Sequence, residues 1–110
     1  MTAPVEIDCQ TVKSRLDTGN DILLLDCREL DEHEIARIAG NILIPMSELQ
    51  DRLAELNEHR DRDVIVYCHH GVRSLRVVHW LRRNGFLEAQ SMRGGIDQWS
   101  LQIDTAVPRY

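Results

Sequence analysis

Cysteine is scarce in this chain and badly spaced for cross-linking. The 110 residues hold three, Cys9, Cys27 and Cys68. An odd number at wide, irregular spacing argues against a disulfide framework, and the lack of any C-x-x-C pair argues against a zinc or redox pair. At least one thiol is left free. No apolar run approaches the roughly 18 residues of a membrane span. Met1 to Gln10 carry Glu6 and Asp8 but neither a basic start nor an apolar centre, so they do not read as a secretory signal. The expectation is a cytoplasmic protein with no membrane partner. Cationic excess is also missing: the formal net charge is −5, which argues against nonspecific binding to nucleic acid. Internal repeats, low-complexity tracts and linkers are absent too. What remains, 43% hydrophobic and 28% charged residues, is the composition of a globular protein. The length suits one domain, residues 1–110, with a core over about 5–100, a tail over 101–110 acting as a surface strap, and a monomeric state.

Hydrophobic patterning alternates between short strands and helices. Asp8 caps a helix predicted over Asp8 to Asp17, with Cys9, Val12 and Leu16 on one side and Thr18-Gly19-Asn20 as its stop. Ile22 to Leu25 is an apolar run of buried-strand length, ending at Asp26-Cys27-Arg28-Glu29. Asp31 to Ile38 reads as one or two helical turns stopped near Gly40, and Ile42 to Ile44 before Pro45 as a short strand. Ser47 caps a predicted amphipathic helix whose Leu49, Leu53 and Leu56 share a face. Val64 to Tyr67 is the clearest buried strand. From Ser74, the positions Leu75, Val78 and Leu81 mark a helix ending at Asn84-Gly85, and a short segment Ala89 to Met92 precedes a helical turn through Ile96 and Trp99. Strands that alternate with helices pair in parallel through crossovers. The fold class is therefore α/β, a small three-layer domain with a mostly parallel central sheet flanked by helices.

The chemistry concentrates after the strand that ends at Tyr67. A cysteine at the C-terminal end of a buried parallel strand, followed by a glycine-containing loop and a helix, lies where α/β proteins place ligands. Loop N–H groups and the helix N-terminus favour an anion there, and the first anion is the Cys68 thiolate. Free cysteine titrates near about 8.5, and such surroundings lower that value and raise nucleophilicity at neutral pH. Gly71 suits a positive φ. Arg73 either braces the loop or presents donors to an anion. His69 and His70 either add positive potential or line the rim. Cys27 reads as core, with a second reading as a resolving thiol should its strand neighbour that of Cys68. Cys9 reads as structural, Trp80 and Trp99 as packing, and Arg82 and Arg83 as a solvated helix end. Arg76, within a turn of Arg73, is a candidate for a positive rim.

Four segments in order, Leu24 to Glu29, Ile38 to Pro45, Val66 to Ser74 and Arg93 to Trp99, resemble the signatures of the rhodanese family, and the likeness spans about Val5 to Trp99. Cys27 stands where valine is usual, Ala36-Arg37-Ile38 replaces the common Gly-His-Ile, and Asn41 replaces alanine. The resemblance implies that Cys68 accepts sulfur, that backbone amides from His69 to Ser74, Gly71 and Val72 included, cradle the outer sulfur, and that Arg73 closes the loop. It makes Asp26 and Arg28 structural or rim residues. The implied reaction is sulfur transfer from a donor such as thiosulfate to a thiol, cyanide or protein acceptor through a persulfide, with no metal or organic cofactor. Three rivals stand beside it. A sulfur carrier would use the same chemistry with a protein partner, and a sensor module would lack the cysteine. A cysteine phosphatase or arsenate reductase would resemble a loop with five residues between cysteine and arginine, against four here.

Overall fold

In the computed structural model, which describes residues 3–110, five parallel strands stand in the order β1-β5-β4-β2-β3. The chain runs β1 (Glu6–Ile7), α1 (Cys9–Asp17), β2 (Ile22–Asp26), α2 (Leu30–Ile35), β3 (Ile42–Leu43), α3 (Leu49–Arg52), β4 (Asp63–Tyr67), α4 (Val72–Arg83), β5 (Gln90–Met92) and α5 (Gly95–Gln102). Short 3₁₀ segments, Met46–Glu48 and Leu53–His59, flank α3.

β2 and β4 form the centre because both faces of each are apolar. Alternate residues of a strand point to opposite faces. Leu23, Leu25, Val64 and Val66 accordingly join Leu49, Leu56, Val77, Val78 and Leu81 in one core layer, under α3 and α4. Leu24, Ile65 and Tyr67 join Val12, Ile96 and Trp99 in the other, under α1 and α5. The three-layer α/β architecture is thus the one the patterning implied. Asp8 does cap α1, its carboxylate accepting from Thr11 N–H at 2.7 Å.

Three expectations change. The helix predicted after Ser47 is broken into 3₁₀, α and 3₁₀ pieces, and the Ser47 hydroxyl donates to Glu29 Oε1 at 3.2 Å instead of capping a helix. Leu49 and Leu56 still reach the core. β1 and β5 emerge as strands; they pair Glu6 with Ser91 and Ile7 with Met92. Finally α4 starts at Val72, before Ser74. In this topology the C-terminal ends of β2 and β4 lie side by side, each continuing into a cysteine.

Candidate active site

Cys68 follows β4 directly, and its loop is fixed from below by α5. The Cys68 carbonyl accepts from Ile96 N–H at 2.9 Å and the His69 carbonyl from Asp97 N–H at 3.1 Å. That contact demands glycine at position 95, where φ is +62° and a Cβ would run into both carbonyls. Gly71, at φ +101°, turns the chain into α4 while passing close to Gly94 N, which a Cβ would meet at 3.2 Å. The loop is therefore held from below by α5, and two N–H groups, those of Gly71 and Ser74, turn inward.

Those groups converge on the Cys68 sulfur, which is 1% exposed. Gly71 N–H donates to it at 3.1 Å and Ser74 N–H at 3.4 Å. Ser74 Oγ lies 3.4 Å away, accepting from the thiol or donating to the thiolate, and is itself 2.8 Å from Ser91 Oγ. The neighbouring Cys27 thiol, which donates to the Tyr67 carbonyl at 3.5 Å, contributes most to lowering the Cys68 pKa. Burial opposes it, and the Ser74 and Gly71 donors add to it, so the group falls to about 4. The Cys27 thiol is pushed up by its neighbour Cys68 and by burial. At neutral pH Cys68 is a thiolate, and Cys27 keeps its proton.

Arg73 lies one residue into α4 and turns toward α2, not toward the sulfur. Its Nη1 and Nη2 donate to Glu32 Oε1 and Oε2 at 2.7 and 2.8 Å, a paired geometry that suits guanidinium and carboxylate. Glu32 is held down at about 2, chiefly by Arg73. Of the two readings of Arg73, the geometry supports the brace. Glu32 also accepts from the Tyr110 hydroxyl at 2.8 Å, which in turn accepts from Arg28 Nη1 at 2.7 Å. Arg28 is not a rim residue. It is fully buried, its Nε and Nη2 donating to the equally buried Asp26 carboxylate at 2.9 and 2.8 Å. A buried guanidinium needs such a partner. Asp26, Arg28, Tyr110, Glu32 and Arg73 thus form one continuous chain of polar contacts beside the loop. Sequence reading missed Glu32 and Tyr110; the only trace of the network was the Asp-x-Arg spacing at the end of β2.

The histidines occupy the rim. His69 is stacked between His70 and Tyr110, with ring centroids 3.9 Å apart on each side. Burial and then the neighbouring His70 lower its pKa. Among the described residues, its Nε2 has no hydrogen-bond partner. His69, His70 and Asp97 bring ligand-type atoms within 4.8 Å of one another, but Asp97 is committed to Arg109 through bonds of 2.8 and 3.3 Å. Val72 is exposed. Arg76 is exposed as well and lines a groove of about 240 Å³ with Met46, Leu49, Gln50, Val77 and Trp80.

Known proteins are similar to this chain in sequence and in fold. A "Sulfurtransferase" from Allochromatium vinosum is 34% identical over 95 residues, covering 86% of this chain and 87% of that protein. A "Putative sulfur carrier protein YrkF" from Bacillus subtilis is 32% identical over 95 residues, covering 86% of this chain and 50% of that protein. This chain covers only 26% of "Adenylyltransferase and sulfurtransferase MOCS3" from Oryza sativa, at 33% identity. The chain therefore spans half or less of two of these relatives. A rhodanese-like domain protein from Staphylococcus aureus superposes with a TM-score of 0.82 at 27% identity, over 97% of this chain and 99% of that one. Among the described residues, no helix is long and apolar enough to cross a membrane. The model of the Rhodanese-like domain family matches residues 8–102, and the chain belongs to that family.

Proposed function

We propose that this protein is a sulfurtransferase that moves sulfane sulfur from a donor such as thiosulfate to a thiol or cyanide acceptor through a persulfide on Cys68. One observation carries the reading: a buried sulfur receives two backbone N–H groups, from Gly71 and Ser74, inside a loop that α5 holds in place. The Cys68 thiolate attacks the outer sulfur of thiosulfate; a new S–S bond forms, the old one breaks, and sulfite leaves with its electron pair. An acceptor nucleophile then takes the outer sulfur, and the Cys68 thiolate departs. Inward-facing N–H groups stabilise both anions, the thiolate and the persulfide. Arg73 stays with Glu32 and keeps the start of α4 in position throughout. Its charge is largely neutralised there, so the loop amides supply most of the attraction for the donor.

The name of the B. subtilis relative supports a second reading, a carrier that takes sulfur from a protein donor and hands it to a protein acceptor. The chemistry at Cys68 is common to both, and the rate with protein persulfides against the rate with thiosulfate separates them. A phosphatase fits less well, since four residues between Cys68 and Arg73 make a tight cradle. The reading extends to a monomer acting in the cytoplasm. It is tested by intact mass after incubation with thiosulfate in the absence of reductant. Native chain gains about 32 Da, cyanide removes the gain, and Cys68→Ser gains nothing. Failure of thiosulfate and every other sulfane donor to load the native chain would overturn it.

A further inference from the structure

The proposed transfer gives the buried Cys27 thiol no bond to make or break. β2 and β4 are parallel neighbours in which Leu23 faces Val64 and Leu25 faces Val66. These four side chains share a core layer with Cys27 and Cys68. Alternation with period two makes Cys27 and Cys68 the next pair on that face. Cys27 N–H donates to the Tyr67 carbonyl at 3.1 Å, so the ladder continues to this pair. Neighbouring strands run about 4.8 Å apart, inside the roughly 4.4–6.8 Å range of Cα separations that disulfides bridge. The Cys27 thiol lies on the β2 side of Cys68 and donates to the Tyr67 carbonyl at 3.5 Å, while the amides of Gly71 and Ser74 reach the Cys68 sulfur from the α4 side. The two cysteines are thus strand neighbours on one face of the sheet, and the cradle for an outer sulfur lies with the loop.

We infer that Cys27 is a resolving thiol: when a Cys68 persulfide meets no acceptor, Cys27 attacks its inner sulfur, closes a Cys27–Cys68 disulfide and expels the stored sulfur as hydrosulfide. This rests on the sulfurtransferase reading above. The Cys27 sulfur forms a bond to Cys68 Sγ, and the bond from Sγ to the outer sulfur breaks. The outer sulfur leaves as HS⁻ with that bond's electron pair and the Cys27 proton. The sulfane sulfur gains two electrons and the two cysteine sulfurs together lose two, so no outside oxidant is consumed. A dithiol reductant restores both thiols by exchange. Because Cys27 holds its proton at neutral pH, its attack is slow beside that of a thiolate acceptor. The drain opens only when acceptors are scarce, and it stops a charged persulfide from persisting.

The test compares native chain with Cys27→Ser, which keeps a hydrogen-bond donor but cannot form the disulfide. Both are loaded with thiosulfate, freed of excess donor and held without acceptor, while intact mass and released hydrosulfide are followed. Native chain should fall from its gain of about 32 Da to about 2 Da below the reduced mass, with one hydrosulfide per chain and a cross-linked Cys27–Cys68 peptide. In Cys27→Ser the gain should last at least roughly tenfold longer. A native persulfide as durable as that of the variant, with no cross-linked peptide, overturns the inference and leaves sulfur transfer standing. Failure of both proteins to load overturns the transfer reading instead. The pair is then judged with hydrogen peroxide, which converts the Cys68 thiolate to a sulfenic acid from which Cys27 displaces water. The cross-linked peptide from native chain supports the resolving role, and overoxidised Cys68 without it overturns that role.

Discussion

Cys9 and Cys68 stand at the same kind of place and are driven in opposite directions. Cys9 opens α1 just after β1, and Cys68 follows β4 just before α4. Each is 1% exposed, and burial raises the pKa of each. Yet Cys9 is pushed up to about 11, and Cys68 falls to about 4. The difference lies in what lines the sulfur. The Cys9 thiol donates to the Arg93 carbonyl at 3.7 Å, and the Asp8 carboxylate adds negative charge beside it. Cys68 meets the Ser74 hydroxyl and two backbone N–H groups, all of which can donate, and has the Cys27 thiol as a neighbour that lowers its pKa further. A strand end, a helix start and burial do not by themselves make a nucleophile. Loop geometry that turns donors inward does.

Exchanging the two cysteines for serine breaks the comparison most sharply. Under the proposed function, Cys68→Ser lowers the rate of thiocyanate formation from thiosulfate and cyanide by at least about 10³-fold. Cys9→Ser leaves that rate within about twofold, since the Cys9 thiol donates to the Arg93 carbonyl and serine keeps a donor there. Equal losses would show that the two sites do not differ in role.

Removing a single donor sharpens it. Ser74→Ala leaves the Ser74 N–H in place but deletes the hydroxyl 3.4 Å from the sulfur. A hydrogen bond to a charged group is worth about 1.5–3 kcal/mol, so the Cys68 midpoint rises by about one pH unit or more. An unmoved midpoint in an ultraviolet thiolate titration would deny the hydroxyl that part.

The brace has a smaller effect, read in stability. Glu32 is held at about 2 in the folded chain, below its ordinary value of about 4.3. A depressed carboxyl contributes stability that is full above the unfolded value and is lost as pH falls toward the folded one. Glu32→Gln therefore costs about 1 kcal/mol at neutral pH for this partly exposed pair. The gap from native chain closes between about pH 4 and pH 2, as urea unfolding at the two ends of that range would record. Tyr110→Phe is the mildest change. It keeps the ring stacked on His69 but removes the hydroxyl that joins Glu32 to Arg28. The expected loss is about 0.5–1 kcal/mol in thermal unfolding, with sulfur transfer retained.

The strands β2 and β4 and the helices α1 and α4 were legible because local patterning writes them: unbroken apolar runs, a capping aspartate, a helical stripe. Cys68 and its glycine loop were legible for a related reason, as strand, loop and helix follow one another in sequence. β5 was not, since Gln90 and Ser91 carry no apolar signal although both are buried. Glu32 sits in the stretch read as one or two helical turns, where nothing local marks it out from Asp31 or Glu34. Its partners Arg73 and Tyr110 lie 41 and 78 residues away. The resemblance left Arg28 either structural or at the rim, and the Asp26 carboxylate draws it inside. The part of the site set by contacts distant in sequence has no local pattern to betray it.

The most direct measurement of the central claim is the ultraviolet absorbance of the Cys68 thiolate, taken as the difference between native chain and Cys68→Ser from about pH 3 to about pH 9. The account predicts a thiolate already formed at neutral pH, with a midpoint near about 4. A midpoint near about 8.5, where free cysteine titrates, would contradict it, for the donors around Cys68 would then be doing no more than those around any buried thiol.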